Sequence, residues 1–371
     1  MGKILEVTKK AIAERDALRA SRASKAKKHS KTATTATTAT SATSSTKYNT
    51  IQYNNNATKH ERLRASGDII NGVVIEPLGF GQYVFNANGK RGNAEVMFEN
   101  EEGQQGVLSE NPKAAKKAVS FFLDIAGQQY KFIGYPLMTK LPFILPSVQS
   151  VNAYIARRMQ FKPFKDIFES LINISRVCFD LEKEEYHAIN ALGIMQSWLM
   201  PCLSSIFLLS RDGTKGSAKT SYAELTAGLC RHGITLGNTS SAVIGRIVEN
   251  YQGSLHIDEL DNLKPEVKEE VEGILRKSQR RNNPYSRCNK NTGAIEFFEV
   301  FGYHSISYRG DSEDALKSRS FPIRTKPTTD YRLSIINLSK DTLLQPVFED
   351  VFFWYMENIA TIKKKSEGAA Q

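Results

Sequence analysis

Ser205-Ile-Phe-Leu-Leu-Ser-Arg-Asp-Gly-Thr-Lys-Gly-Ser-Ala-Lys-Thr220 is the stretch that decides how this chain is read. An apolar run opens it, small residues follow, and a lysine and a hydroxyl close it ahead of a helix-compatible segment. That order suits a phosphate loop. Small residues let backbone N–H groups close around phosphate oxygens, the lysine reaches the β- and γ-phosphates, and the hydroxyl faces Mg²⁺. Gly213, Thr214, Lys215, Gly216, Ser217, Ala218, Lys219 and Thr220 are therefore the candidate nucleotide-binding residues, and Thr220 is also a candidate metal ligand. Ala218 stands where a glycine is usual, which adds a methyl group and removes some backbone freedom.

A phosphate loop needs a carboxylate partner downstream, and Ser254-Leu-His-Ile-Asp-Glu259 supplies one. It is a short β-type run ending in two acids. In this arrangement Asp258 holds the Mg²⁺ shell, while Glu259 orients and deprotonates the attacking water. The bland alternative is a surface loop and an unrelated acidic strand end.

The 371 residues suffice for two ordinary domains with sizeable cores. Hydrophobic residues at 40% against charged residues at 24% describe a globular protein carrying some polar tail. A formal net charge of +11 points to a polyanionic partner, nucleic acid first, although a solvated basic tail contributes to the same total. Cys178, Cys202, Cys230 and Cys288 are scattered without a Cys-x-x-Cys pair, so neither a zinc site nor a disulfide framework is indicated. The N-terminal segment is rich in Lys, Arg and Ala and lacks a continuous apolar core, which argues against a signal peptide. Residues 194–210 are apolar but interrupted by Pro201, and read as a buried helix leading into a central strand. The expectation is a cytoplasmic chain with no membrane partner.

Residues 1–66 read as a basic, low-complexity flexible tail. Lys25-Ala-Lys-Lys-His-Ser-Lys31 precedes a Thr/Ala/Ser tract that cannot bury enough apolar surface to offset its ordering entropy. Nucleic-acid contact, an organellar transit peptide and plain solvation all remain open for it. Residues 67–175 read as an α+β module of unassigned role, with strand runs near Val73, Gln82 and Ala94 and helices over 112–126 and 147–159. Tyr83 and Phe85 beside Lys90 and Arg91 could stack on nucleic acid, but core packing of alternating strands accounts for them better. Residues 176–330 alternate helix and strand, which implies a parallel sheet. Helices are expected over 186–201, 220–232, 240–249 and 263–280, then a hairpin over 285–300 turning at Asn289-Lys-Asn-Thr-Gly293. Residues 331–371 read as a helical lid and tail, with Phe348, Phe352 and Trp354 on the helix.

This constellation resembles the ATPase core of the AAA+ class, especially the helicase-like proteins of archaeal plasmids, viruses and bacteriophages. Its compact spacing is similar to superfamily 3 and minichromosome-maintenance helicases. The resemblance covers residues 180–330. It rests on the phosphate loop, on Leu236-Gly-Asn-Thr-Ser-Ser-Ala242 ahead of Leu255-His-Ile-Asp-Glu-Leu-Asp-Asn262, on a helix-hairpin stretch, and on Ala315-Leu-Lys-Ser-Arg-Ser-Phe-Pro-Ile323.

The resemblance implies an α/β fold: an AAA+ type P-loop ATPase core with a central parallel sheet, preceded by the small β-rich and helical module and the disordered basic tail. It implies that Arg319 acts as an arginine finger in a neighbouring subunit and that Ser307 occupies the sensor-1 position, where asparagine or threonine is usual. It also implies that Arg287 and Lys290 lie at or near a hairpin tip that contacts DNA backbone, with Arg280 and Arg281 forming a second basic stretch. The implied function is an ATP-hydrolysing DNA helicase or translocase in replication of a mobile element. ATP and Mg²⁺ are its cofactors, single-stranded or forked DNA its partner, and a homo-oligomer its state, a hexameric ring being one form. The rivals are an ATP-controlled DNA-binding or assembly protein without unwinding activity, and a structural DNA-binding protein with a dead nucleotide site.

Overall fold

Alternating apolar residues build the first sheets. Val73-Val-Ile and Tyr83-Val-Phe lie on strands of an antiparallel meander, β2 (Asp68–Ile70), β3 (Val73–Gly79), β4 (Gln82–Ala87) and β5 (Lys90–Glu95). Asn88 and Gly89, both at positive φ (51° and 89°), close the two-residue turn between β4 and β5, a conformation that Asn-Gly adopts readily. A second sheet has the order β1-β9-β8-β6-β7, from β1 (Glu61–Arg64), β6 (Met97–Asn100), β7 (Gln105–Val107), β8 (Ala118–Ile125) and β9 (Gln128–Ile133). The two sheets share one core in which Leu63, Ile75, Val96 and Leu123 are 0% exposed. Fully burying each such side chain is worth about 1.5–3 kcal/mol.

The computed structural model describes residues 61–133, 141–214, 216–237, 239–288, 293–308, 316, 318–328 and 343–368. Residues 1–60, Lys215 and Lys290 lie outside the described residues. Glu61–Arg64, expected in the tail, is a strand paired in parallel with β9, and Leu63 and Ser66 are fully buried. The segment 112–126, expected as a helix, is instead a 3-10 turn (Ala114–Lys117) followed by β8. Val119, Phe121, Phe122 and Ile125 favour a pleated surface, and β6 and β9 flank it on both sides. Tyr83 and Phe85, at 1% and 7% exposure, are core residues. Arg91 makes a bidentate pair with Glu357 (2.9 and 2.8 Å) and stacks over Tyr154 and Phe161.

Helices α1 (Val148–Ile155), α2 (Phe164–Cys178) and α3 (Glu185–Leu199) follow, then a five-stranded, wholly parallel sheet. Its elements run β10 (Leu208–Asp212), α4 (Lys219–Leu229), β11 (Gly233–Leu236), α5 (Ser241–Tyr251), β12 (Ser254–Ile257), α6 (Pro265–Lys277), a hairpin of β13 (Tyr285–Cys288) and β14 (Ile295–Phe298), β15 (His304–Tyr308) and β16 (Ser320–Arg324). Ser240 caps α5, its side chain accepting from Val243 N at 3.4 Å. The sheet order is β11-β12-β15-β10-β16, so β15 lies between the strand that leads into the phosphate loop and the strand that ends in the acids. In an open parallel sheet ligands bind beyond the carboxyl ends of the strands, where the connections leave a crevice.

The last helix, α7 (Leu344–Gly368), buries an aromatic face. Phe348 and Tyr355 pack on Trp198 with ring centroids 5.6 and 5.4 Å apart, and Trp198 Nε1 donates to Leu229 O at the end of α4 (2.9 Å). Among the described residues, no helix is long and apolar enough to cross a membrane.

Candidate nucleotide site

The loop after β10 is shaped by close approach. A Cβ on Gly213 would fall 2.4 Å from Thr325 Oγ1 and 2.5 Å from Ser217 Oγ, so only glycine fits. Ser217 Oγ in turn bonds Thr214 O (2.8 Å) and Thr325 Oγ1 (2.9 Å), which fastens the loop to the residue after β16. Ala218 sits at φ 57°, in the left-handed region that glycine enters without strain. That backbone turn starts α4, whose N-terminal N–H groups and partial positive charge face the mouth of the loop. Lys219 Nζ donates to the carbonyls of Gly213 and Thr214, the latter at 2.9 Å.

The acids arrive from β12. Thr220 Oγ1 donates to Asp258 Oδ2 at 2.7 Å. Glu259 follows at φ 51°, an unusual value for a non-glycine residue and one that held strain can mark as functional. Its own N–H donates to Asp258 Oδ1 (3.0 Å), and its carboxylate accepts from Asn262 Nδ2 (2.7 Å). From β15, Ser307 is 1% exposed and its Oγ has no hydrogen-bond partner among the described residues. Gly216, Ser217, Ala218, Lys219, Thr220, Asp258, Glu259, Ser307 and Tyr308 line one cleft of about 200 Å³. That is below the roughly 300–1,000 Å³ of pockets that enclose a drug-sized ligand.

The donor set fits Mg²⁺. A hydroxyl and a carboxylate are hard oxygen ligands, and Mg²⁺ is commonly held by one or two carboxylates together with substrate phosphates. Among the described residues no group of three His, Cys, Asp or Glu side chains forms a cage for a metal.

The remaining candidates lie elsewhere. Arg319 is exposed and precedes β16, while the phosphate loop follows the parallel strand β10, so the two lie at opposite ends of paired strands. Its Nη1 reaches Arg276 O at 3.5 Å. Arg287, expected near the hairpin tip, is within β13, opposite Glu296, with which it makes a 3.2 Å ion pair. Arg281 is engaged by the fold: its guanidinium donates to Met200 O (2.6 Å) and Leu203 O (3.1 Å) and lies over the Phe301 ring. Arg280 is exposed. The helix expected as a lid, α7, contributes no residue to the cleft lining given by the described residues; its aromatic face packs on Trp198 of α3 and Phe164 of α2. Sequence reasoning missed Thr325 and Tyr308, whose roles depend on partners far along the chain.

No protein-family model matches the chain, and no curated protein matches it. Solved structures to which it is similar include the apo C-terminal region of NrS-1, at TM-score 0.32 and 11% identity, over 80% of this chain and 72% of that one. Another is the JCV helicase with a thiazolopyridinyl-phenoxyphenyl acetamide bound, at TM-score 0.33 and 12% identity, over 60% of this chain and 68% of that one.

Proposed function

We propose that this chain is an ATP-hydrolysing, Mg²⁺-dependent nucleic-acid motor, a DNA helicase or translocase that works as a homo-oligomer. The observation that carries the reading is the convergence of Lys219, the Thr220–Asp258 pair, Glu259 and Ser307 on one cleft at the carboxyl ends of β10, β12 and β15. Loop N–H groups and Lys219 bind the phosphates, and Thr220 and Asp258 hold Mg²⁺, which neutralises phosphate charge when bound. Glu259 takes the proton of the attacking water. Ser307 Oγ, buried and without a hydrogen-bond partner among the described residues, offers a donor to that water or to the γ-phosphate. Arg319, remote from its own cleft, serves a neighbour's site, which calls for at least a dimer. The basic character of the chain, net +11, supports a polyanionic track.

Steady-state ATPase activity with and without single-stranded DNA tests this, with Glu259→Gln as the control for contaminating activity. Strong stimulation by DNA is the expected result. ATP binding without turnover would replace the motor by an ATP-controlled assembly protein, and no ATP binding would end the reading.

A further inference from the structure

A second polar row lies beneath the cleft. Residues two apart on a strand share a face, so Ser305 stands one repeat below Ser307 on β15, while Arg211 on β10 and His256 on β12 lie two residues before Gly213 and Asp258, which follow those strands. His256 pairs in register with Ser305, and Arg211 with Ser307. Arg211 and His256 are 0% exposed and Ser305 is 1% exposed. Arg211 Nη1 donates to Ser305 Oγ at 2.6 Å, and Nη2 donates to Thr226 Oγ1 on α4 at 2.7 Å. His256 Nδ1 lies 2.6 Å from the same Ser305 Oγ.

The chemistry of the groups sets the direction of these bonds. A guanidinium only donates, so Ser305 Oγ accepts from it and shares a second hydrogen bond with His256 Nδ1. Burial, then the charge of Arg211, then His304 hold the ring well below the ordinary histidine range. Thr226 Oγ1, having accepted from Arg211, turns its hydrogen to Asn190 Oδ1 (2.9 Å) or Tyr222 O (2.8 Å). Two arms thus leave Arg211 on β10, one to Thr226 on α4 and one through Ser305 on β15 to His256 on β12.

A buried guanidinium held by two hydroxyls and lying 5.1 Å from the Tyr222 ring centroid is a weak source of stability, because well-packed apolar side chains of similar volume do as well or better. Its distinctive property is geometric. It cross-links the helix that begins at Lys219 and Thr220 to the strand whose neighbour ends at Asp258. We propose that Arg211, Ser305 and His256 are positioning residues that fix β12 and α4 relative to each other and so set the Thr220–Asp258 spacing on which Mg²⁺ binding depends. This rests on the nucleotide reading of the cleft.

Ser305→Ala removes the shared link, and binding of methylanthraniloyl-ATP at varied Mg²⁺ and in EDTA reads the effect. The expected result is metal-free affinity within about twofold of the unaltered protein, and a Mg²⁺ requirement for tight binding raised by up to about 10-fold, the low end of the cost of losing a partner bonded directly to a metal ligand, because Ser305 acts through Arg211 and His256. Ser305→Thr, which keeps the hydroxyl, restores the Mg²⁺ requirement. If Ser305→Ala does not fold, the double variant R211M/S305A, which leaves no guanidinium beneath the cleft, carries the same test. An unchanged Mg²⁺ requirement, or equal losses with and without metal, overturns the positioning role alone. Failure of the unaltered protein to bind the nucleotide overturns the reading of the cleft and this inference with it.

Discussion

The hydroxyl of Thr220 donates to Asp258 Oδ2 at 2.7 Å although the strands that precede them, β10 and β12, are not neighbours. The strand between them, β15, ends at Ser307 and Tyr308, so its terminus fills the gap and supplies the floor of the cleft. The sheet order thus assembles the cleft: the Thr220–Asp258 pair comes from the connections after β10 and β12, and the buried Ser307 hydroxyl from β15 between them.

Glu259 extends from this pair with its backbone in the left-handed region and its carboxylate held by Asn262. Glu259→Gln keeps that hydrogen bond available and removes the base. Turnover of ATP is expected to fall about 10²–10⁴-fold with little change in ATP affinity. Single-turnover hydrolysis with a parallel binding titration checks it, and normal turnover would remove Glu259 from the base role.

Ala218 tests the loop's backbone. At φ 57° an L-residue pays about 1–2 kcal/mol that glycine avoids, while glycine loses about 0.4–1 kcal/mol through a freer unfolded chain. Ala218→Gly is therefore expected to raise stability by roughly 0.5–1 kcal/mol, and Ala218→Val to lower it, because a β-branched residue is worse in this region. Urea midpoints of the three proteins should rank Gly above Ala above Val; the reverse order would mean that the loop is not held in this turn.

The legible part of the site was the part written locally. The glycines, the lysine and hydroxyl and the paired acids each sit at fixed spacing behind a strand run, and the positive φ at Ala218 is what the usual glycine there would supply without strain. Ser240 as a cap and the hairpin around residues 285–300 were readable for the same reason. What could not be read depends on partners distant in sequence. Thr325 meets Ser217 across 108 positions, and Arg281 spends its charge on carbonyls about eighty residues earlier. Residues 118–125 looked helical by local pattern, and lateral pairing with β6 and β9 made them a strand.

Buried histidines make stability depend on pH. His304 Nδ1 accepts from Leu255 N–H at 3.2 Å and Nε2 faces Val300 O, so a second proton would displace the Leu255 bond. Burial lowers its pKa to about 4 from 6.5. The folded value lies below the unfolded one, so the unfolded chain binds more protons between these limits. The His304 contribution is fully present above pH 6.5 and is lost as pH falls toward 4. Each such group adds up to about 1.4 kcal/mol per pH unit to the slope. Burial lowers the His187 and His256 pKa values in the same direction. Unfolding free energies measured by urea at several pH values should rise with pH across this window, and a flat profile would rule out neutral buried rings as the folded form.

Glu76 on β3 joins the first sheets to the parallel sheet. It is 1% exposed and accepts from Arg231 Nη2 (2.7 Å) and Nε (3.0 Å), with His232 Nε2 at 3.0 Å, both on the short connection between α4 and β11. Burial alone would raise its pKa, but Arg231 and His232 outweigh it and hold the carboxyl below the usual range. Glu76→Ala leaves the Arg231 guanidinium buried without its counter-charge, which costs about 3–5 kcal/mol. Replacing the pair together, as E76L/R231M, removes the uncompensated charge and should recover most of that loss. The urea midpoints of the single and double variants decide it. A double variant no more stable than Glu76→Ala would mean that the loss comes from packing around β3 and not from a stranded cation.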